Sequence, residues 1–303
     1  MQHFTGLMAA VFTPFDQQGD INLSIIPDYI DKLVSDGLKG IFICGSNGEG
    51  PDMNIEERKE VAEAFVRAAN KRIQVFVHVG HSCIKDAQEL AAHAQHIGAD
   101  AVSSVSCFYF KPNSISNLVD CMSEIACAAP DLPFYYYHIP HLTGLDLDML
   151  QFLQLAEESI PNLAGIKYTA SKIYEFQTCL VYKQGKYNML YGMDEMLLPA
   201  LAVGAQGAIG STYTFAAPLY YQMMEAFKAG EFETAKRLHQ NLINMIRIIL
   251  KYPMVSGQKA ILKMQGLDLG PCRLPLRNLS AQEYEDLEKE LREAKILNKG
   301  IVQ

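Results

Sequence analysis

Residues 40–79 read GIFIC GSNGEG PDMN IEERKEVAEAFVRAA NKR IQVFVHV and hold one complete round of a repeating pattern. The runs at 40–44 and 73–79 are short, apolar and bounded by Gly and polar residues, as strands are. Between them, residues 55–69 have helical spacing. Asn54 precedes that helix and Glu57 follows three residues later, so each side chain can satisfy an unpaired backbone donor. Strand, loop, helix, strand is the unit of a parallel sheet. Working outward in both directions, strands are predicted at 6–12, 101–105, 133–139, 163–168, 189–191 and 207–210. Eight such units predict an α/β fold of the closed (β/α)8 type. Beyond the eighth strand the pattern is helical only, at 220–227, 235–250, 259–264 and a last helix capped by Ser280 and Glu283. The expected division is a barrel domain at 1–225 and a helical extension at 226–303 packed on it. An open doubly wound sheet is the alternative. It is weakened because the first strand runs into Thr13-Pro14 and no G-x-G-x-x-G follows it.

With 49% hydrophobic and 20% charged residues among 303, the chain can bury a sizeable core and reads as soluble and globular. Residues 1–15 lack a basic segment, and their apolar run 7–12 is cut short by Thr13-Pro14, so neither a signal peptide nor a membrane span is expected. A net charge of −8 with scattered basic residues argues against nucleic acid as a partner. Seven cysteines, an odd number without a C-x-x-C pair, fit reduced thiols and a cytoplasmic setting.

In such a barrel the chemistry sits at the C-terminal ends of strands and on the loops after them. The sixth strand ends Gly165-Ile166-Lys167-Tyr168-Thr169. The two-residue period puts Lys167 on the face of Gly165, which would leave room for a substrate. A lysine nucleophile must be unprotonated, and low-dielectric surroundings favour that form. The same position also suits a lysine whose ammonium group reaches solvent. In Tyr135-Tyr136-Tyr137-His138-Ile139-Pro140, alternation lets Tyr135 or Tyr137 face the barrel mouth and relay protons near an imine; an aromatic core strand reads the same way. Gly45-Ser46-Asn47-Gly48-Glu49-Gly50 could cradle a carboxylate with backbone donors, or be a plain tight connection. Gly192-Met193-Asp194-Glu195 and the later Gly210-Ser211-Thr212 could read hydroxyls, or the acids could complement a helix dipole. Neither loop carries a lysine or arginine, which disfavours phosphate. Metal is not expected: the i,i+3 histidine pairs (His78/His81, His93/His96, His138/His141) come without H-E-x-x-H or a cysteine pair. A Ser-His-Asp hydrolase lacks its G-x-S-x-G elbow.

Taken together, Gly45-Ser46-x-Gly48-Glu49, Tyr137-His138-Ile139-Pro140 with Thr143-Gly144, Gly165-Ile166-Lys167 and Gly192-x-Asp194-Glu195 resemble the N-acetylneuraminate lyase and dihydrodipicolinate synthase family, in the same order over nearly the whole chain. The resemblance implies a (β/α)8 barrel, a homotetramer, Lys167 as the imine-forming lysine and Tyr137 as the proton-transferring phenol, with no metal or other cofactor. It further implies that Ser46 and the backbone at Asn47 hold the keto-acid carboxylate. Tyr109 would reach a neighbouring subunit's site, and Thr169, Gly192, Asp194, Glu195 and Ser211 would hold the sugar chain of sialic acid.

Within the family, Leu142 discriminates. Synthases carry an arginine there to pair with a second carboxylate, and this chain has His141-Leu142-Thr143-Gly144. Asp194-Glu195 point the same way, since carboxylates accept from hydroxyls and repel a dianion. The implied activity is reversible cleavage of N-acetylneuraminate to N-acetylmannosamine and pyruvate. The alternatives are an aldolase for another 2-keto sugar acid, a synthase-like enzyme, and a keto-acid-binding regulator without turnover. The chain departs from the family at Asn47, where a hydroxyl is usual, and an amide relays protons poorly.

Overall fold

The computed structural model describes residues 3–296. Strands β1 (Gly6–Ala10), β2 (Gly40–Ile43), β3 (Gln74–His78), β4 (Ala101–Ser104), β5 (Phe134–His138), β6 (Leu163–Tyr168), β7 (Asn188–Tyr191) and β8 (Gly207–Gly210) pair in chain order, and β8 pairs back onto β1 in parallel. The expected (β/α)8 barrel is therefore closed. Around it run α1 (Ile26–Ser35), α2 (Ile55–Ala69), α3 (Ile84–His96), α4 (Ile115–Ala126), the single turn α5 (Pro140–Thr143), α6 (Met149–Ser159), α7 (Ile173–Val181), α8 (Leu197–Ala202) and α9 (Tyr213–Lys228). Among the described residues three helices come after it: α10 (Phe232–Ile249), α11 (Met254–Met264) and α12 (Ala281–Glu293). Helix α9, which completes the barrel, runs past residue 225 to Lys228.

Local chemistry explains the element ends. Helix α2 starts on a reciprocal capping box, with Glu57 N donating to Asn54 Oδ1 at 2.9 Å and Asn54 N to Glu57 Oε2 at 3.0 Å. It stops at Asn70, whose left-handed backbone (φ 43°) ends the i to i−4 ladder. Strand β1 is shorter than the apolar run that predicts it. Val11 N still donates to Phe42 O at 3.1 Å, but Phe12 N has left the ladder and faces the Tyr29 hydroxyl.

Two apolar layers share the strands. Met8, Phe42, Phe76, Tyr135, Leu190 and Ile209 belong to the cluster inside the barrel, while their alternating neighbours pack outward under the helices. One irregularity in the pairing positions the barrel mouth. Phe134 pairs with Leu163 but Tyr135 pairs with Gly165, so Ala164 is an extra residue in β6. The shift sets Tyr137 opposite Lys167. Without it Tyr137 would stand opposite Ile166, which packs in the outer layer.

The C-terminal helices are tied to the barrel by buried charge. Lys259 Nζ lies 2.6 Å from Glu49 Oε1 with both side chains nearly inaccessible, and it donates also to Pro271 O at 2.9 Å. The second Glu49 oxygen accepts from Arg273 N at 2.8 Å. Among the described residues no helix is long and apolar enough to cross a membrane.

Candidate active site

The loops at the C-terminal ends of the strands surround a cavity of about 670 Å³. Lys167 enters it from β6. Its side chain is buried at 2% exposure, and Nζ lies 3.8 Å from the centre of the Tyr137 ring and 3.9 Å from that of Phe42. Burial lowers its pKa from 10.5 to about 7, against the nearby Asp194 carboxylate, which raises it. An amine with that pKa is substantially neutral near pH 7, as a nucleophile must be. Tyr137 is pushed up by burial to about 12, with the Ser46 hydroxyl holding it lower than burial alone would. His78, not singled out from the sequence as a site residue, packs edge-on against Tyr137 with ring centres 5.8 Å apart. Its Nδ1 donates to Cys44 O at 3.0 Å, and its Nε2 accepts from Val105 N at 3.3 Å. Burial, Arg58 and Lys167 all lower its pKa, so a neutral ring lies beside the lysine.

The polar wall is built by close approach of backbone. Asp194 Oδ2 accepts from Thr212 N at 2.8 Å and from Thr212 Oγ1 at 2.6 Å, and the same hydroxyl lies 2.7 Å from Tyr220 OH. Burial raises the Asp194 carboxyl to about 6 in spite of these bonds. A Cβ on Gly210 would sit 1.8 Å from Asp194 Oδ1, and one on Gly192 would sit 2.0 Å from Thr169 Oγ1. A side chain at either position would displace the Asp194 carboxylate or the Thr169 hydroxyl from the cavity wall. Thr169 Oγ1 and Asn47 Oδ1 are buried without a hydrogen-bond partner while their residues line the cavity.

The structure thus gathers Ser46, Asn47, Tyr137 and Lys167 into one cavity with Thr169, Gly192, Asp194, Glu195 and Ser211. Tyr109 stands apart: it is 77% exposed on the loop after β4, stacked edge-on against Phe110 and outside this cavity. Leu142 lines the cavity, and near it Lys172 is held by Asp146 at 2.6 Å. Gly165 has a different role from the one read in the sequence. A Cβ there would meet Asn188 O at 1.9 Å, so the missing side chain admits the backbone of β7 and not a substrate. The Gly45 to Gly50 loop also divides. Its first half lines the cavity, whereas Glu49 (φ 53°) turns its carboxylate to Lys259 and Arg273. Sequence reasoning predicted the C-terminal helices but not their place in the site: Ile246 and Ile249 of α10, Leu250, and Met254 and Gln258 of α11 close one side of the cavity. The available signal was Gln258, a polar residue inside the otherwise apolar face of a short helix.

Compared with known proteins, residues 3–294 match the model of the dihydrodipicolinate synthetase family. The chain belongs to that family. Among its relatives, the N-acetylneuraminate lyase of Sus scrofa is 39% identical over 97% of this chain and 93% of its own length. The fold of this family member is also that of two solved lyases. The Proteus mirabilis N-acetylneuraminate lyase superposes with a TM-score of 0.95 at 38% identity, covering 98% of this chain and 100% of that one. The N-acetylneuraminate lyase (sialic acid aldolase) of Aliivibrio salmonicida gives 0.96 at 40%, covering 98% and 99%. Among the described residues of this family member, no group of three or more His, Cys, Asp or Glu side chains is placed to hold a metal ion.

Proposed function

We propose that the protein reversibly cleaves N-acetylneuraminate to N-acetylmannosamine and pyruvate through an imine on Lys167. The observation that carries this reading is a buried lysine with a pKa near 7, beside Tyr137, in a cavity whose facing wall is Thr169, Asp194, Glu195 and Ser211. The likeness to lyases of pig and bacteria supports it. Leu142 and the Lys172–Asp146 pair support a lyase over a synthase, because neither leaves a free cation for a second carboxylate.

The Lys167 amine adds to C2 of the open-chain keto acid and expels water, giving an imine that is protonated at nitrogen. That cation draws in the electron pair of the C3–C4 bond, leaving an enamine on the pyruvate half. The C4 hydroxyl gives up its proton as C4 becomes the aldehyde of N-acetylmannosamine. A phenol with a pKa near 12 is protonated at rest, so Tyr137 takes this proton only while handing its own on, and the Ser46 hydroxyl faces it. Ser46 and the backbone at Asn47 hold the carboxylate. Protonation of the enamine at C3 and addition of water at C2 release pyruvate and the free lysine. No metal or organic cofactor takes part. The enzyme works as a homotetramer in the cytoplasm, in which Tyr109 reaches a neighbouring site; the exposed run Phe108, Tyr109, Phe110 supports that contact. Borohydride reduction with pyruvate tests the reading: wild type gains a covalent adduct on Lys167 and Lys167→Ala does not. Pyruvate release from N-acetylneuraminate by wild type, Lys167→Ala and Asn47→Thr completes the test.

A further inference from the structure

Helix α11 turns one polar side chain into the cavity. Gln258 is 2% exposed, lines the cavity, and has its Oε1 buried without a hydrogen-bond partner. Met254 lies one turn earlier on the same helical face and also lines the cavity, at 46% exposure. That face therefore runs from solvent down into the cavity wall. Its position is fixed: Lys259, the next residue, is locked to Glu49, two residues beyond Asn47 in the loop that lines the cavity. A buried acceptor left without a donor is destabilising, and a leucine or methionine would fill the same space without that cost. The protein supplies no donor to this oxygen, so the donor comes from what occupies the cavity.

Pyruvate has no hydroxyl or amide N–H to offer. The carbon chain beyond the bond that is cleaved has both. We propose that Gln258 is a specificity-determining residue, whose Oε1 accepts a hydrogen bond from a hydroxyl or acylamino N–H on the sugar half of the substrate. This rests on the lyase reading above. It assigns a C-terminal helix, outside the barrel, a direct part in choosing a polyhydroxylated substrate over a bare 2-keto acid.

The test compares wild type, Gln258→Met, which keeps the volume and removes the acceptor, and Gln258→Glu, which keeps an acceptor. The loss of one neutral hydrogen bond predicts that Gln258→Met raises KM for N-acetylneuraminate and for N-acetylmannosamine about tenfold. Borohydride trapping of pyruvate stays as in wild type, and Tm does not fall, because no partner within the protein is lost. Gln258→Glu recovers KM to within about threefold of wild type, since the acceptor is restored. An unchanged sugar KM in Gln258→Met with normal pyruvate trapping would overturn the proposal alone. So would a lowered Tm with sugar and pyruvate constants impaired together, the mark of a structural glutamine, or a Gln258→Glu enzyme no better than the methionine variant. Absence of a pyruvate adduct in wild type would instead take down the imine reading and this inference with it.

Discussion

The strongest quantitative consequence concerns the charge on Lys167. Lowering an amine from 10.5 to about 7 by burial means the ammonium form is disfavoured inside the protein by about 5 kcal/mol relative to water. Two rings oppose this, Phe42 and Tyr137 at 3.9 and 3.8 Å from Nζ, and each desolvated ring favours the cation by up to about 2 kcal/mol. These contacts offset part of the burial penalty without cancelling it. Imine formation requires the neutral amine. The rate of adduct formation with pyruvate, read by borohydride quench and mass spectrometry between pH 5 and 10, should therefore fall about tenfold per unit on the acid side and level off above about pH 8. The same charge governs stability. Between the folded and unfolded pKa values the unfolded chain binds a proton that the fold does not, so the lysine's contribution to stability rises with pH across that window; below it the full penalty persists. Lys167→Met should thus be more stable than wild type at pH 7 by about 4 kcal/mol in urea denaturation, with the gain vanishing towards pH 10.5. A rate that keeps climbing tenfold per unit through pH 10, or a methionine variant less stable at pH 7, would refute the claim that burial sets this amine's charge.

Other perturbations separate the roles of neighbouring groups. Tyr137→Phe should lower kcat for N-acetylneuraminate cleavage by about 10²- to 10⁴-fold, the usual worth of a positioned proton-transfer group, while a pyruvate adduct still forms on prolonged incubation. Asp194→Asn removes a carboxylate that raises the Lys167 pKa and should move the acid limb of the adduct profile to lower pH while raising KM for the sugar acid; a limb shifted upward would contradict the assignment. Glu49→Gln leaves the Lys259 ammonium buried without its partner and should cost about 3–5 kcal/mol in urea denaturation, against a smaller loss when Lys259→Met is added. Gly165→Ala drives a Cβ into a backbone carbonyl at 1.9 Å, so a large loss of folded protein by circular dichroism is expected, with normal expression and activity as the contrary result.

The parts of the fold that were legible share one property: each was written in a local period or cap. The strands β6 and β8 end where the apolar runs end, and α2 spans the residues between its Asn54 box and Asn70. The same local pattern put Lys167 and Tyr137 near the ends of apolar strands but fitted a solvent-reaching lysine and an aromatic core strand as well; it was the four motifs together that singled them out. What stayed hidden depends on residues far apart in the chain. The pairing shift at Ala164 that brings Tyr137 beside Lys167 leaves no mark in either strand's own pattern. Gly165 looked like space for a substrate because the sequence does not show that Asn188 comes within contact of it.

The Gly45 to Gly50 loop extends the same contrast to function. As a string it reads as a carboxylate cradle or a plain tight connection, and in the structure its residues face two ways. Ser46 and Asn47 face the cavity, while Glu49, two residues on, commits its carboxylate to Lys259 Nζ and Arg273 N, over 200 residues away in sequence. The loop that would grip the keto acid is therefore fastened to the helix that presents Gln258 to the same cavity. A buried ion pair thus joins the loop that carries Ser46 and Asn47 to the helix that carries Gln258. The C-terminal helices thus wall the same cavity as Lys167, and if the lyase reading holds, loosening Glu49 or Lys259 should blur the choice of substrate before it abolishes imine formation on Lys167.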